Sequence, residues 1–190
     1  DVWRTADDRL LHRHAAVIDV HVLTYSGTRQ EWLDQCLRSL EGENCTVHVV
    51  QGVEGNVGAG RAHAYTLGEH EFVSYVDSDD YVLPGVMDAC LRALKRYPAV
   101  VTMEQRLWGD RIAGKREGAH HLTVYRRELV QSVLATLPDH PYLCDRLLVR
   151  KLHPFQLDFE GYVWRMHARQ GHRLVTREQT SRMEATCKSC

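Results

Sequence analysis

The sequence predicts an α/β fold of the doubly wound kind, a mostly parallel sheet with helices on both faces and a small mixed extension toward the C-terminal side. Three observations predict it. Apolar, β-branched runs at residues 16–25, 46–51 and 72–77 alternate with segments of helical periodicity. A glycine-rich stretch, Gly52 to Arg61, leads from the second run into a helix. The third run ends on Asp77-Ser78-Asp79-Asp80, three carboxylates within four residues, where strands of a parallel sheet present their ligands.

Each element has its own reason. Ala16 to Tyr25 reads as a buried first strand, turned by Ser26-Gly27. Thr28 and Glu31 have capping-box spacing, so a helix is expected to open there. Trp32, Leu33, Cys36, Leu37 and Leu40 line its apolar face, and Gly42 ends it. Thr46 to Gln51 is the second strand, and the helix after the glycine-rich loop stops near Gly68. Phe72 to Asp77 is the third strand. Pro84 suits a first helical turn, and Val86, Met87, Cys90, Leu91 and Leu94 mark the helix that follows. Beyond Pro98 the pattern loosens. Val100 to Leu107 and Leu122 to Tyr125 read as strands, and Arg127 to Leu137 as a helix. Asp158 to Gln170 reads as a helix closed by Gly171, and His172 to Thr176 as a last strand. Residues 1–15 suit a peripheral helix.

A chain of 190 residues that is 44% hydrophobic can bury one core, so a single domain over 1–190 is expected. No apolar run approaches the ~20 residues of a membrane helix, and no membrane partner is expected. Six cysteines without framework spacing, with Cys36 and Cys90 on apolar helix faces, suggest core thiols and a reducing, cytoplasmic setting. The net charge of -1 hides an asymmetry. Residues 1–100 carry 9 Lys/Arg against 15 Asp/Glu, a balance of -6, and residues 101–190 carry 15 against 10, a balance of +5.

The chemistry centres on the acidic run. Carboxylates one residue apart on an extended backbone, as Asp77 and Asp79 are expected to be, can share a hard cation that bridges phosphates. The glycine-rich loop lacks both the Gly-Lys-Ser/Thr of a P-loop and the register of a dinucleotide fingerprint. What it offers is backbone that a ligand can approach closely, with Arg61 at the start of a helix.

Three stretches together resemble a family 2 glycosyltransferase of the GT-A fold, a Rossmann-like architecture. They are Val20 to Tyr25 followed by Glu31 to Leu40, then Asn56-Val57-Gly58 through Tyr65, then Val76 to Asp80 with Pro84. The resemblance implies a nucleotide-sugar donor, a UDP-sugar first among them, and a divalent cation, Mn2+ or Mg2+, on Asp77 and Asp79. It implies donor contacts from Thr24, Tyr25, Gln51, Asn56, Gly58, Arg61, His63, Asp77 and Ser78. Residues 16–98 would then be the donor and metal half, 99–176 the acceptor side and 177–190 a tail. Two departures stand out: Gln51 occupies the place of a base-contacting Asp, and Arg61-Ala62-His63 replaces the usual Ala-Arg-Asn.

A weaker likeness covers residues 158–175, the family's late acidic pair heading a helix. By register from Gly171 it assigns the catalytic base to Glu160, with Asp158 second, and implies inversion. The acceptor is open. The basic excess of the second half carries one reading, a hydroxymethylated DNA base met by Arg111, Lys115, Arg116, Arg126, Arg127, Arg146, Arg150 and Lys151 with His120, His121 and Tyr142. A small molecule, protein or polysaccharide acceptor, or a non-catalytic sugar-nucleotide-binding module, is the alternative. His120 and His121, adjacent in an expected strand, would face opposite sides. His153 and His172 are candidates for a third metal ligand, and Cys187 with Cys190 has half the spacing of a zinc site.

Overall fold

A computed structural model describes residues 18–117, 120–135 and 144–167. The expectations for residues 1–15, Tyr142, the strand at 172–176 and the tail cysteines lie outside the described residues. Within them the elements run β1 (Ile18–Thr24), α1 (Gln30–Leu40), β2 (Thr46–Gln51), α2 (Val57–Ala64), β3 (Phe72–Asp77), β4 (Tyr81–Val82), α3 (Val86–Leu94) and β5 (Ala99–Trp108). They continue with β6 (Arg111–Arg116), β7 (Thr123–Arg126), α4 (Arg127–Leu134), α5 (Cys144–Leu152) and β8 (Phe155–Met166).

One sheet holds them all, in the order β2-β1-β3-β7-β5-β8-β4, with β6 paired to β5. The strands β1, β2 and β3 run parallel, as alternation with helices requires, and their carboxyl ends place Thr24, Gln51 and Asp77 at one edge of the sheet. From β7 onward the sheet is mixed, because β7 is antiparallel to both β3 and β5 while β8 runs parallel to β5.

The sheet is covered on both faces. On one, Cys36 and Leu40 of α1 and Val86, Met87, Cys90 and Leu94 of α3 pack on Ile18, Val20, Val22 and Val76. On the other, Tyr65, Val130 and Leu148, from the α2, α4 and α5 side, close over Val73, Tyr75 and Tyr125. Cys36 and Cys90 are fully buried free thiols, as their helical spacing implied. Each large apolar side chain sealed this way stabilises the fold by about 1.5–3 kcal/mol.

Five local expectations change. Thr28 does not cap α1: its hydroxyl accepts the Tyr25 amide at 2.8 Å, and the helix opens after Arg29. Residues 155–166 form β8, not a helix, because Tyr162, Val163 and Trp164 find strand partners in β5 and β4. Tertiary pairing overrides the local reading there. Gly161 makes this pairing possible. It is an extra residue between the pairs Met103–Glu160 and Glu104–Tyr162, and a Cβ on it would run into Val86 and Thr102. Three elements were not anticipated, the two-residue β4, the solvent-facing β6 and the helix α5, whose buried Cys144, Leu147 and Leu148 do have helical spacing.

Candidate functional site

The acidic run folds into a tight turn rather than continuing the strand. The strand β3 stops at Asp77, whose carbonyl accepts the Asp80 amide at 3.0 Å, so Ser78 and Asp79 occupy the two corners. The three carboxylates therefore diverge. The extended geometry expected for Asp77 and Asp79 is not what the chain adopts.

Asp77 turns toward α2. Its Oδ1 accepts from Nη2 of Arg61 at 2.5 Å. Arg61 is buried, lies with its guanidinium 3.6 Å over the Tyr75 ring, and donates from Nε to Asp145 at 3.3 Å. One guanidinium thus joins the end of β3 to the start of α5. Such a buried cation is tenable only because two carboxylates face it. Burial pushes the Asp145 carboxyl up from its ordinary range, with Asp77 adding to the rise and Arg61 opposing it.

Asp79 turns the other way and meets Nε2 of His167 at 2.6 Å. His167 packs on Trp32 of α1 with ring centroids 4.9 Å apart. The Arg165 side chain fixes this corner, donating from Nε to the Asp79 carbonyl at 2.8 Å and from Nη2 to Gln35 at 2.5 Å. Asp80 points inward and is buried, accepting the Tyr162 hydroxyl and the Arg165 amide, each at 2.7 Å. Burial, with the Asp79 and Asp77 charges beside it, drives its carboxyl well above the usual range. A ring nitrogen of His121 and carboxylate oxygens of Asp77 and Asp80 all lie within 4.8 Å of one another.

The glycine-rich loop supplies the neighbouring wall. Asn56 caps α2, its Oδ1 accepting the Ala59 amide at 2.9 Å, which leaves Gly58 and Gly60 buried against the sheet. Gly52 lets the Tyr25 ring lie directly on the backbone; a Cβ there would occupy the ring's own space. The Tyr25 hydroxyl is buried without a hydrogen-bond partner among the described residues, and burial raises its pKa to about 12. Thr24 sits beside it, donating to the Val50 carbonyl at 3.4 Å, in register with the exposed Gln51.

Of the residues expected from sequence, the structure gathers Thr24, Tyr25, Asn56, Gly58, Arg61, Asp77, Ser78 and Asp79 around the parallel strand ends. His63 faces solvent on the outer side of α2. Glu160 and Asp158 do not head a helix. Glu160 lies on β8 on the face opposite Tyr162, where Gln105 and Lys115 each bond its carboxylate at 2.5 Å and hold its pKa low. Asp158 is exposed on the same strand. His153 follows α5 in a left-handed conformation, exposed to solvent. His121 precedes β7 rather than lying within it, so the expected strand alternation does not apply, and its ring meets the acidic cluster. Sequence reasoning missed Asp145, His167 and the role of His121. For Asp145 the sequence offers only an acid opening the amphipathic stretch Cys144 to Leu152, a feature any helix start can carry.

No family model matches the chain, and no curated protein matches it. Solved structures do. S. aureus TarS 1–349 in complex with UDP-GlcNAc matches at a TM-score of 0.65 and 17% identity, covering 80% of this chain and 59% of that one. The same protein in complex with UDP matches at 0.63 and 17%, covering 78% and 60%. The bifunctional IspDF from Campylobacter jejuni matches at 0.51 and 12%, covering 80% and 49%. The chain spans about three fifths of the length of the TarS structures it matches. These likenesses establish the fold, the GT-A-type nucleotide-binding α/β architecture that the three sequence motifs implied.

Proposed function

We propose, from that fold and the groups at its strand ends, that the chain is a nucleotide-sugar-dependent glycosyltransferase that moves a sugar to a hydroxyl acceptor with inversion. One observation carries the reading: Asp77 and the half-buried Asp145 share the Arg61 guanidinium at 2.5 and 3.3 Å. This sets a donor-side carboxylate and a second carboxylate of raised pKa around one point, in a fold in which TarS binds UDP-GlcNAc. UDP-sugars are the donors this likeness favours.

The donor base would lie along Tyr25 and Gly52, with Thr24 and Gln51 at its edge and the Asn56-capped loop beside it. The carboxylates of the acidic turn form an oxygen-rich donor set that fits Mn2+ or Mg2+; Asp77 would hold it, whereas Asp79 is turned the other way onto His167. When bound, the cation supplies the positive charge that offsets the departing diphosphate. Asp145, and not Glu160, is the base in this reading. It takes the proton of the acceptor hydroxyl as that oxygen bonds to the anomeric carbon and the sugar–phosphate bond breaks. Desolvation raises the proton affinity of Asp145, and Arg61 keeps its carboxylate in place. A single displacement inverts the anomeric centre.

The acceptor reading weakens on one point. Of the eight basic residues assigned to an anionic groove, Lys115, Arg116, Arg126 and Arg127 pair with Glu160, Glu104, Glu71 and Asp19. What favours a nucleic acid is the end of the β5–β6 hairpin, where Trp108 and Ile112 are half exposed beside the exposed Arg111. The test is release of UDP from a panel of nucleotide sugars with Mn2+, with and without duplex DNA carrying hydroxymethylated pyrimidines. UDP release supports the transferase, and sugar retained on the DNA supports that acceptor. Release unchanged by the DNA points to a small-molecule, protein or polysaccharide acceptor. Tight UDP-sugar binding with no turnover on any acceptor would mark a non-catalytic binding module instead.

A further inference from the structure

We propose, resting on the transferase reading, that His121 is a ligand of the cation together with Asp77 and Asp80, and that Glu104 is the carboxylate that aims it. His121 is 5% exposed and Glu104 is fully buried. The Glu104 carboxylate bonds Nδ1 of His121 at 2.7 Å and also accepts from Nε of Arg116. With Nδ1–H given to Glu104, the neutral ring keeps its lone pair on Nε2. Among the described residues nothing hydrogen-bonds Nε2.

The ring cannot turn away. It stacks on Tyr162 with centroids 5.1 Å apart and planes 1° from parallel, and Trp164 lies at 5.3 Å. Tyr162 in turn bonds Asp80, so one aromatic side chain fixes both the imidazole and a carboxylate. Asp80 has each oxygen held by one donor, and Asp77 has one oxygen on Arg61, which leaves lone pairs on both carboxylates. A ring nitrogen of His121 and one oxygen of each carboxylate lie within 4.8 Å of one another, close enough for a single ion to touch all three residues. A carboxylate behind a ligating histidine is the usual outer partner that orients the ring and raises its basicity. Two carboxylates with one imidazole favour Mn2+ over Mg2+, which binds oxygen almost alone.

The test is Mn2+ titration of the full chain followed by electron paramagnetic resonance, with electron spin-echo detection of nitrogen bound to the ion. Wild type should show coordinated nitrogen, lost in His121→Ala and kept in His167→Ala. His121→Ala and Glu104→Gln should each bind Mn2+ about 10–100-fold more weakly, with Mg2+ binding changed much less. Circular dichroism checks that both variants fold, and the nitrogen signal of the unaltered protein decides the matter if one does not. No Mn2+ binding, oxygen-only coordination, or a nitrogen signal that disappears with His167 instead would each overturn the proposal. UDP release with oxygen-only Mn2+ would sink this ligand set and leave the transferase standing. Nitrogen-bound Mn2+ with no turnover of any nucleotide sugar would do the reverse.

Discussion

Around β8 and the acidic turn the chain treats its carboxylates in opposite ways. At the strand ends, Asp77, Asp80 and Asp145 are held by Arg61, Tyr162 and the Arg165 amide, and burial lifts the carboxyls of Asp80 and Asp145. On the face of β8 away from Tyr162, Glu160 is bonded by Lys115 and Gln105, with its carboxyl held low. The bulge at Gly161 separates them by turning Glu160 and Tyr162 to opposite sides although they are two residues apart. A carboxylate that stays ionised beside a lysine is a weak proton acceptor, whereas one raised by desolvation is a stronger one even with Arg61 opposing the rise. Position in a sequence motif is thus a poor guide to a base; what surrounds the carboxylate decides.

The largest effect that can break this contrast comes from Asp145→Asn. It should lower sugar transfer by about 10²–10⁴-fold while UDP binding in Mn2+ stays near wild type, measured by product release and calorimetry. Gly52→Ala comes next. Because the Tyr25 ring fills the space a Cβ needs, it should cost about 1–3 kcal/mol in a urea melt, and weaken UDP binding as the ring moves.

A subtler effect lies at the far side of the sheet, in His21. It is fully buried, both ring nitrogens lack hydrogen-bond partners among the described residues, and burial with His48 nearby lowers its pKa to about 3. The folded pKa lies below the ordinary 6.5, so the unfolded chain takes the proton first as pH falls. The stability this neutral ring contributes is complete above 6.5 and drains away toward pH 3. His21→Phe should flatten the fall in thermal midpoint over that window relative to wild type. Equal slopes would contradict the buried neutral ring. The smallest effect belongs to Glu160→Gln, which should leave transfer within about twofold of wild type, since a solvent-facing ion pair on the other face contributes little. A large loss there, with Asp145→Asn active, would invert the comparison.

The parallel half was legible because each element carries a complete local signal. Thr46 to Gln51 and the Val86–Leu94 helix occur where their patterns put them, since β-branched runs and 3.6-residue spacing are set by burial on one face. The later half depends on partners far away in the chain. Tyr162, Val163 and Trp164 have both strand and helix character until β5 and β4 are present to pair with them. The acidic turn was legible as a site but not in its geometry, because the hydrogen bond from Asp80 to Asp77 sends neighbouring carboxylates in three directions. Asp145 went unseen for a related reason. Its partners Arg61 and Tyr65 lie more than seventy positions away, and nothing local marks one acid at a helix start over another.

The most direct test of the central claim is calorimetric titration of the full chain with UDP, with and without Mn2+, repeated on the Asp77→Ala variant. The account predicts binding to wild type that strengthens at least tenfold with Mn2+, a gain absent from the variant, whose circular dichroism stays that of the folded protein. UDP binding that ignores Mn2+ in both proteins, or no UDP binding at all, would contradict it.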